Sequence, residues 1–111
     1  MAKILIVDDE YMTIEMLTTF LGLIGHQAVG ALSGRQTWDK LAYEEPDLIL
    51  LDIMLPDDNG LNICRKLRLN AATEKTPIIM ISAHLLRAGV KCSDGKTAKN
   101  NVCATFPADG C

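Results

Sequence analysis

The run Leu48–Leu51 constrains this chain more than any other feature, because its four apolar residues end abruptly in the carboxylate of Asp52. The run Ile4–Val7 has the same form and is followed directly by Asp8 and Asp9. Short apolar runs rich in branched residues are typical of strands that are covered on both faces of a parallel sheet. The ligand site of such a sheet lies beyond the carboxyl ends of its strands. The sequence therefore predicts three carboxylates that converge at one edge of the sheet.

Strand patterns alternate with helix patterns through residues 3–82. The predicted strands are Ile4–Val7, Gln27–Ala31, Leu48–Leu51 and Ile78–Ile81. Three helical stripes separate them, formed by Ile14, Leu17, Leu21 and Ile24 with Phe20 beside them, by Trp38, Leu41 and Ala42, and by Leu61, Cys64 and Leu67. The third helix would turn Arg65, Lys66 and Arg68 largely outward. Gly25 is a plausible stop for the first helix, and Ser33 and Asn59 are plausible caps for the other two. This order predicts an α/β fold with right-handed crossovers and a parallel sheet.

Composition excludes several classes of protein. The chain has 14 acidic and 11 basic residues, a net charge of -3, and no basic stripe. Direct binding to nucleic acid is not expected, because phosphate contacts need Lys and Arg. The apolar runs fall far below the roughly 20 residues that span a bilayer, and the N-terminus has no signal-like layout. We therefore expect a cytoplasmic protein with no membrane contact, whose cysteines a reducing compartment would leave as thiols.

Three carboxylates at two strand ends form a good site for Mg²⁺ or Mn²⁺, which prefer oxygen ligands. From the residues alone, Asp9 and Asp52 are the expected direct ligands, and Asp8 lies close behind, through water. With an ion bound, Asp52 can attack a phosphoryl donor and form an aspartyl phosphate. Ser82 follows the fourth predicted strand and can donate its hydroxyl to a phosphoryl oxygen across the crevice.

Residues 1–84 resemble a response-regulator receiver domain of two-component signalling. The residues that carry the resemblance are Ile4–Glu10, Asp52–Pro56 with Gly60 and Leu61, and Ile81–Ala83. The resemblance implies a flavodoxin-like doubly wound parallel sheet, with strand order 2-1-3-4-5 if a fifth strand forms at Val102–Phe106.

The resemblance also implies a role for each site residue. Asp52 would be the phosphoacceptor, and a sensor histidine kinase or a phosphotransfer protein would be the donor. Mg²⁺ would be held by Asp9, Asp52 and the backbone carbonyl of Met54, with Asp8 assisting. Ser82 would be the switch hydroxyl. The chain would act as a phosphoacceptor that assists its own phosphoryl transfer, not as an enzyme, and would signal to a downstream effector protein or a lost output domain.

The C-terminal part departs from the family pattern. Receiver domains carry a lysine at the end of the fifth strand, whereas Val102–Pro107 contains none, so no residue is assigned this role. We expect residues 1–84 to form the domain core and residues 85–111 an atypical tail, in which the last strand and helix are incomplete. Our hypothesis is that a frame shift or truncation after about His84 replaced the native ending. The apolar surface left uncovered would favour a homodimer or a swapped dimer.

Two other functions stay open. Without the lysine, the chain could be a degenerate receiver that binds proteins and does not switch on phosphate. An Mg²⁺-dependent phosphatase or phosphotransferase that acts through Asp52 is the other class. Such enzymes usually carry a second aspartate two residues after the nucleophile, and this position is Met54.

Overall fold

The structure, a computed structural model, describes residues 1–81 and the backbone of residues 102–106. Strands and helices alternate within the first of these ranges, as the sequence predicts. The elements are β1 (Lys3–Val7), α1 (Tyr11–Leu23), β2 (Gln27–Ala31), α2 (Gly34–Leu41), β3 (Leu48–Asp52), α3 (Gly60–Leu69), β4 (Ile78–Ile81) and β5 (Val102–Phe106). The predicted domain boundary near residue 84 lies outside the described residues and stays a prediction.

The strands form one sheet in the order β2-β1-β3-β4-β5, which confirms the predicted order. The pairs β1–β2, β1–β3 and β3–β4 are all parallel. In each of these three pairs, at least one helix lies between the two strands in the sequence, as a parallel connection requires. The α/β class and the doubly wound arrangement are therefore confirmed for the first four strands.

The direction of β5 differs from the expected parallel sheet, because β5 pairs with β4 in antiparallel orientation. Ile81 pairs with Val102, and Ile78 pairs with Phe106. A parallel partner needs a long crossover, usually a helix, and no apolar helical stripe occurs in the sequence between these two strands. The carboxyl end of β5 consequently lies at the opposite edge of the sheet from that of β4.

Side chains of β1 alternate between two apolar layers, as the period of two in a strand requires. Ile4 and Ile6 pack on one face with Ile14 of α1. Leu5 and Val7 pack on the other face, in a cluster that includes Ile63 and Leu67 of α3. The Trp38 and Leu41 side chains of α2 pack against this second cluster. A strand that is buried on both faces explains why the β1 sequence is apolar without interruption.

The predicted helix caps are confirmed. The Ser33 side chain accepts a hydrogen bond from the Gln36 amide at 3.1 Å, and the Asn59 side chain accepts one from the Leu61 amide at 2.7 Å. Gly25, with φ of 93°, follows the end of α1, where a left-handed residue suits glycine.

Some predicted core positions are wrong. Phe20 and Ile24 are 56% and 55% exposed, because the face of α1 toward the sheet carries Ile14, Leu17 and Leu21. A residue one position before Leu21 lies about 100° around the helix axis, which turns Phe20 away from the sheet. Ala42 is exposed and lies beyond the last residue of α2.

Cys64 is fully buried, as predicted, but it is disulfide-bonded and not the expected thiol. The sulfur atom with which it pairs lies outside the described residues. Among the described residues, no helix has the length and apolar character needed to cross a membrane.

Candidate functional site

The acidic site forms because β1 and β3 are parallel neighbours in register. Val7 pairs with Leu51, so the residues that follow them, Asp8 and Asp52, lie side by side at the same edge of the sheet. One carboxylate oxygen from each of Asp8, Asp9 and Asp52 lies within 4.8 Å of the other two. The structure therefore brings together the three carboxylates that the sequence analysis singled out.

These three carboxylates differ in their contact with solvent. The Asp52 and Asp8 residues are 5% and 9% exposed, whereas Asp9 is exposed. Burial, together with the negative charges of Asp52 and Asp9, raises the pKa of Asp8 to about 6. The Glu10 amide donates a hydrogen bond to Asp8 Oδ1 at 2.8 Å, which acts in the opposite direction on this pKa but is outweighed. A cation bound here would stabilise the ionised carboxylates against both the cost of burial and their mutual repulsion.

The segment after Asp52 forms a closed loop, which we call the β3–α3 loop (residues 53–59). The Gly60 amide donates to the Ile53 carbonyl at 2.6 Å, and the Leu55 amide donates to the Asp58 carbonyl at 3.2 Å. Between these contacts, Met54 and Asn59 form an isolated antiparallel bridge. Met54, whose carbonyl is a predicted ligand, is therefore fixed inside a loop that begins at the phosphoacceptor candidate.

Gly60 packs directly on the backbone of Asp52. A Cβ atom at position 60 would overlap the Asp52 carbonyl oxygen and would lie 2.9 Å from the Ile53 Cα. Only glycine allows α3 to begin this close to the end of β3. The Met54 amide approaches Asp52 Oδ1 at 3.4 Å on the other side of the same turn.

Asp57, at the tip of the β3–α3 loop, is a residue that the sequence analysis missed. Its two carboxylate oxygens accept hydrogen bonds from the amides of Gly34 at 2.7 Å and Arg35 at 3.0 Å. Hydrogen bonds from these two amides lower the pKa of Asp57 below its usual value. The contact joins residues 23 apart in the sequence, so no local pattern indicates it.

Arg68 was predicted to point outward with Arg65 and Lys66, and this is wrong. The Arg68 guanidinium donates to the carbonyls of Thr73 at 3.2 Å, Glu74 at 3.1 Å and Thr76 at 2.7 Å. Arg65 and Lys66 are exposed, as predicted. Arg68 thus holds the segment that leads from α3 into β4.

Ser82 lies outside the described residues, so its predicted role stays a prediction. Its neighbour Ile81 is the last residue of β4 and pairs with Asp52. The lysines of the tail, at positions 91, 96 and 99, also lie outside the described residues.

The donor set fits a hard divalent cation. Mg²⁺ and Mn²⁺ prefer carboxylate and carbonyl oxygens, and Mg²⁺ usually keeps several waters when one or two carboxylates bind it. Three clustered carboxylates, one of which has a raised pKa, provide such oxygens. The site could hold a metal ion and present one carboxylate to a phosphoryl group beside it.

The chain is similar to known proteins over most of its length. A family model described as the response regulator receiver domain matches residues 4–94. The phosphate regulon transcriptional regulatory protein PhoB of Pseudomonas aeruginosa is 40% identical over 80 residues, which cover 72% of this chain and 35% of that protein. The alkaline phosphatase synthesis transcriptional regulatory protein PhoP of Bacillus subtilis is 38% identical over 81 residues, covering 73% of this chain and 33% of that protein. The chain thus spans about a third of the length of these relatives.

Solved structures show the same likeness. The N-terminal domain of a response regulator receiver protein from Methanoculleus marisnigri has a TM-score of 0.72 and 32% identity, covering 75% of this chain and 68% of that one. The chemotaxis response regulator CheY4 of Vibrio cholerae has a TM-score of 0.70 and 28% identity, covering 80% of this chain and 78% of that one.

Proposed function

The chain belongs to the response regulator receiver domain family, and we propose that it accepts a phosphoryl group on Asp52 from a sensor histidine kinase or a phosphotransfer protein. The observation that carries this proposal is the convergence of Asp8, Asp9 and Asp52 within 4.8 Å at the ends of β1 and β3. Asp52 is the member of this group that ends a strand, is 5% exposed and begins the closed β3–α3 loop.

Asp9 and Asp52 would hold Mg²⁺ together with the Met54 carbonyl, and Asp8 would assist. Bound Mg²⁺ would offset negative charge on the phosphoryl oxygens as the group is transferred. The raised pKa of Asp8 supports this assignment, because burial and the neighbouring carboxylates leave its ionised form under-stabilised without a cation. The same crowding would keep the phosphoryl group away from Asp52 unless positive charge offset it.

In the transfer step, a carboxylate oxygen of Asp52 attacks the phosphorus atom of the donor. The new bond joins this oxygen to phosphorus, and the bond between phosphorus and the donor's histidine nitrogen breaks. The electron pair of that bond stays on the nitrogen. The β3–α3 loop would hold Asp52 in position for in-line attack, because Gly60 packs on its backbone.

The signal would leave the site through partners. Receiver domains are regulatory phosphoacceptors that act with histidine kinases and output domains, and the relatives named above are transcriptional regulators. We propose that phosphorylation draws Ser82 toward the phosphoryl group and changes a surface that a downstream effector or an output domain reads. A kinase donor inside the cell makes a cytoplasmic location part of the same proposal.

A second candidate function is a degenerate receiver that binds proteins without phosphate switching. Two observations favour it. The segment Val102–Pro107 contains no lysine, and the carboxyl end of β5 lies at the edge of the sheet opposite the acidic site. A residue at that end of β5 is therefore too far away to neutralise a phosphoryl group on Asp52.

Phosphorylation with a small donor separates these functions. The protein is incubated with Mg²⁺ and acetyl phosphate, and the intact masses of wild type, Asp52→Ala and the control Asp58→Ala are compared. We expect a labile phosphate adduct on wild type and on Asp58→Ala, and none on Asp52→Ala. The adduct should form more slowly than in a receiver that carries the lysine of the family pattern, because Val102–Pro107 contains no lysine to stabilise the transferred charge.

Three outcomes would contradict the leading proposal. An adduct that persists in Asp52→Ala would place the phosphoacceptor elsewhere. No adduct on wild type would favour the degenerate binding module, and many product molecules per protein would favour a phosphatase or phosphotransferase.

A further inference from the structure

The tip of the β3–α3 loop is tied to a helix that takes no part in the acidic site. Asp57 lies three residues beyond Met54, and its carboxylate spans the first two amides of α2. Helix α2 already has a local cap, because Ser33 accepts the hydrogen bond from the Gln36 amide. Asp57 therefore accepts hydrogen bonds from two amides that Ser33 does not cap, although it lies in a loop far away in the sequence.

The internal bonds of the loop set its shape but leave its orientation to outside contacts. Three contacts close the loop from its base, where it joins β3 and α3 and which we call its neck, toward its tip. They join Ile53 to Gly60, Met54 to Asn59 and Leu55 to Asp58. A unit closed in this way can pivot about its neck while keeping its internal bonds. Asp57 contacts α2 at the point farthest from that neck, where a restraint limits such a pivot most.

The helix side of this contact is built closely. Gly34 is buried, and a Cβ atom at this position would lie 3.2 Å from Asp57 Oδ1 and 3.2 Å from Asp58 Cβ. The loop therefore sits close against the first residue of α2, and a Cβ atom added at position 34 would push it away by a few tenths of an ångström. The negative charge of Asp57 also suits the positive end of the helix dipole.

We propose that Asp57 is a positioning residue, which holds the Met54 carbonyl in place for the metal ion by anchoring the β3–α3 loop to the start of α2. This inference rests on the proposed metal site of the phosphoacceptor. It makes α2 a support for the site, although residues 34–41 contribute none of the three clustered carboxylates. Loss of the anchor should let the loop pivot and should weaken metal binding while Asp8, Asp9 and Asp52 are all unchanged.

Direct measurement of Mn²⁺ binding to the full chain tests this inference. The probe is Mn²⁺ alone, followed by loss of the free-ion electron paramagnetic resonance signal on titration. Asp57→Ala removes the anchor from the loop side, and Gly34→Ala disturbs it from the helix side with no change in charge. The matched control is Asp58→Ala, which removes the same charge one residue away and keeps its Cβ atom. The Asp58 carboxylate contacts the Asn59 amide and Lys66, not α2.

We expect Asp57→Ala and Gly34→Ala to raise the dissociation constant about tenfold, the lower range for groups that orient metal ligands. The dissociation constant of Asp58→Ala should stay within about twofold of the wild-type value, because solvent and salt screen the effect of a surface charge on the metal site. Asp57→Asn keeps one oxygen acceptor and should recover part of the affinity. Thermal unfolding followed by circular dichroism checks that each variant is folded, and a role limited to capping α2 would lower the unfolding midpoint without changing affinity.

The outcomes separate this inference from the proposed function. Equal affinity in wild type and Asp57→Ala would overturn the inference and leave the metal site intact. Equal weakening in Asp57→Ala and Asp58→Ala, with Gly34→Ala unaffected, would assign the effect to charge and would also overturn it. If wild type binds no more Mn²⁺ than Asp52→Asn, the proposed metal site itself is wrong, and the inference falls with it.

Discussion

The β1–β3 pair and the β4–β5 pair belong to one sheet, but their strands meet in opposite ways. In the first pair both strands run in the same direction, so both carboxyl ends reach the acidic edge. In the second pair the strands are antiparallel, and the acidic edge receives the end of β4 and the start of β5. Strand direction thus decides which residues can take part in the site.

The two pairs also differ in how closely they are held. β1 and β3 are central strands, and the loop that follows β3 packs against its own strand through Gly60. The pairing of β4 with β5 shifts register between Ile79 and Ile81. The comparison predicts that substitutions at the carboxyl end of β3 destabilise the protein strongly. It also predicts that the β4–β5 pair depends on contacts between residues that are distant in the sequence.

The largest expected effect is at Gly60. Gly60→Ala should destabilise the protein by about 3 kcal/mol, because the added Cβ meets backbone atoms that cannot move aside without shifting α3 or β3. The matched control is Gly22→Ala in α1, where an added Cβ meets nothing within 4 Å. This control should stabilise the helix by about 0.5 to 1 kcal/mol. Urea unfolding of both variants measures the two effects.

If Gly60→Ala unfolded at the same urea concentration as wild type, the close packing of α3 on β3 would be wrong. The comparison between the two strand pairs would then lose its main physical basis.

The predictions made from sequence succeeded where the signal is local. The bounds of β2 and β4 and the caps Ser33 and Asn59 follow from apolar runs and from side chains that satisfy nearby amides. The convergence of acids follows from two strands that each end in a carboxylate, once they are parallel neighbours.

The predictions failed where a contact joins distant parts of the chain. The direction of β5 is set by its pairing with β4 and not by its own composition. Asp57 and Arg68 look like surface charges in the sequence, and only the fold brings them against the amides of α2 and the carbonyls before β4. Polar contacts of this kind leave no periodic pattern.

The second effect concerns the pH dependence of the metal-free site. The pKa of Asp8 is raised from 3.8 to about 6, so the folded state binds a proton more tightly than the unfolded state between these values. The free energy of unfolding should therefore rise as the pH falls from 7 to 4.5, by about 1 to 2 kcal/mol after solvent screening. The pKa of Asp57 is lowered below its usual value, so the stability that ionised Asp57 contributes is lost only at pH values below this range. Urea unfolding in a chelator, with Asp8→Asn as the control that removes the rise, measures this.

Added Mg²⁺ should reverse this pH dependence. The metal needs ionised carboxylates, so its stabilisation should be full at pH 7 and should be lost as the pH falls through about 6. The same slope with and without Mg²⁺ would contradict the placement of the ion beside Asp8.

The third effect is at the approach to β4. Arg68→Lys should cost about 1 to 2 kcal/mol, because the shorter lysine side chain does not place its ammonium where Arg68 Nη1 contacts the carbonyls of Thr73, Glu74 and Thr76. Arg65→Lys, on the exposed face of the same helix, should change the free energy of unfolding by less than about 0.5 kcal/mol. Equal effects in a urea titration would show that Arg68 is an ordinary surface residue, as the sequence analysis assumed.

The last prediction carries no energy change and tests the comparison itself. In solution, nuclear Overhauser contacts between backbone protons should join Ile78 to Phe106 and Ile81 to Val102, because these residues face each other across the antiparallel ladder. A parallel β5 would instead join Ile78 to the start of β5, near Val102. That result would return the carboxyl end of β5 to the acidic edge, and it would remove one of the two observations that favour a degenerate receiver. The absence of a lysine in Val102–Pro107 would then be the remaining reason to doubt a phosphate switch.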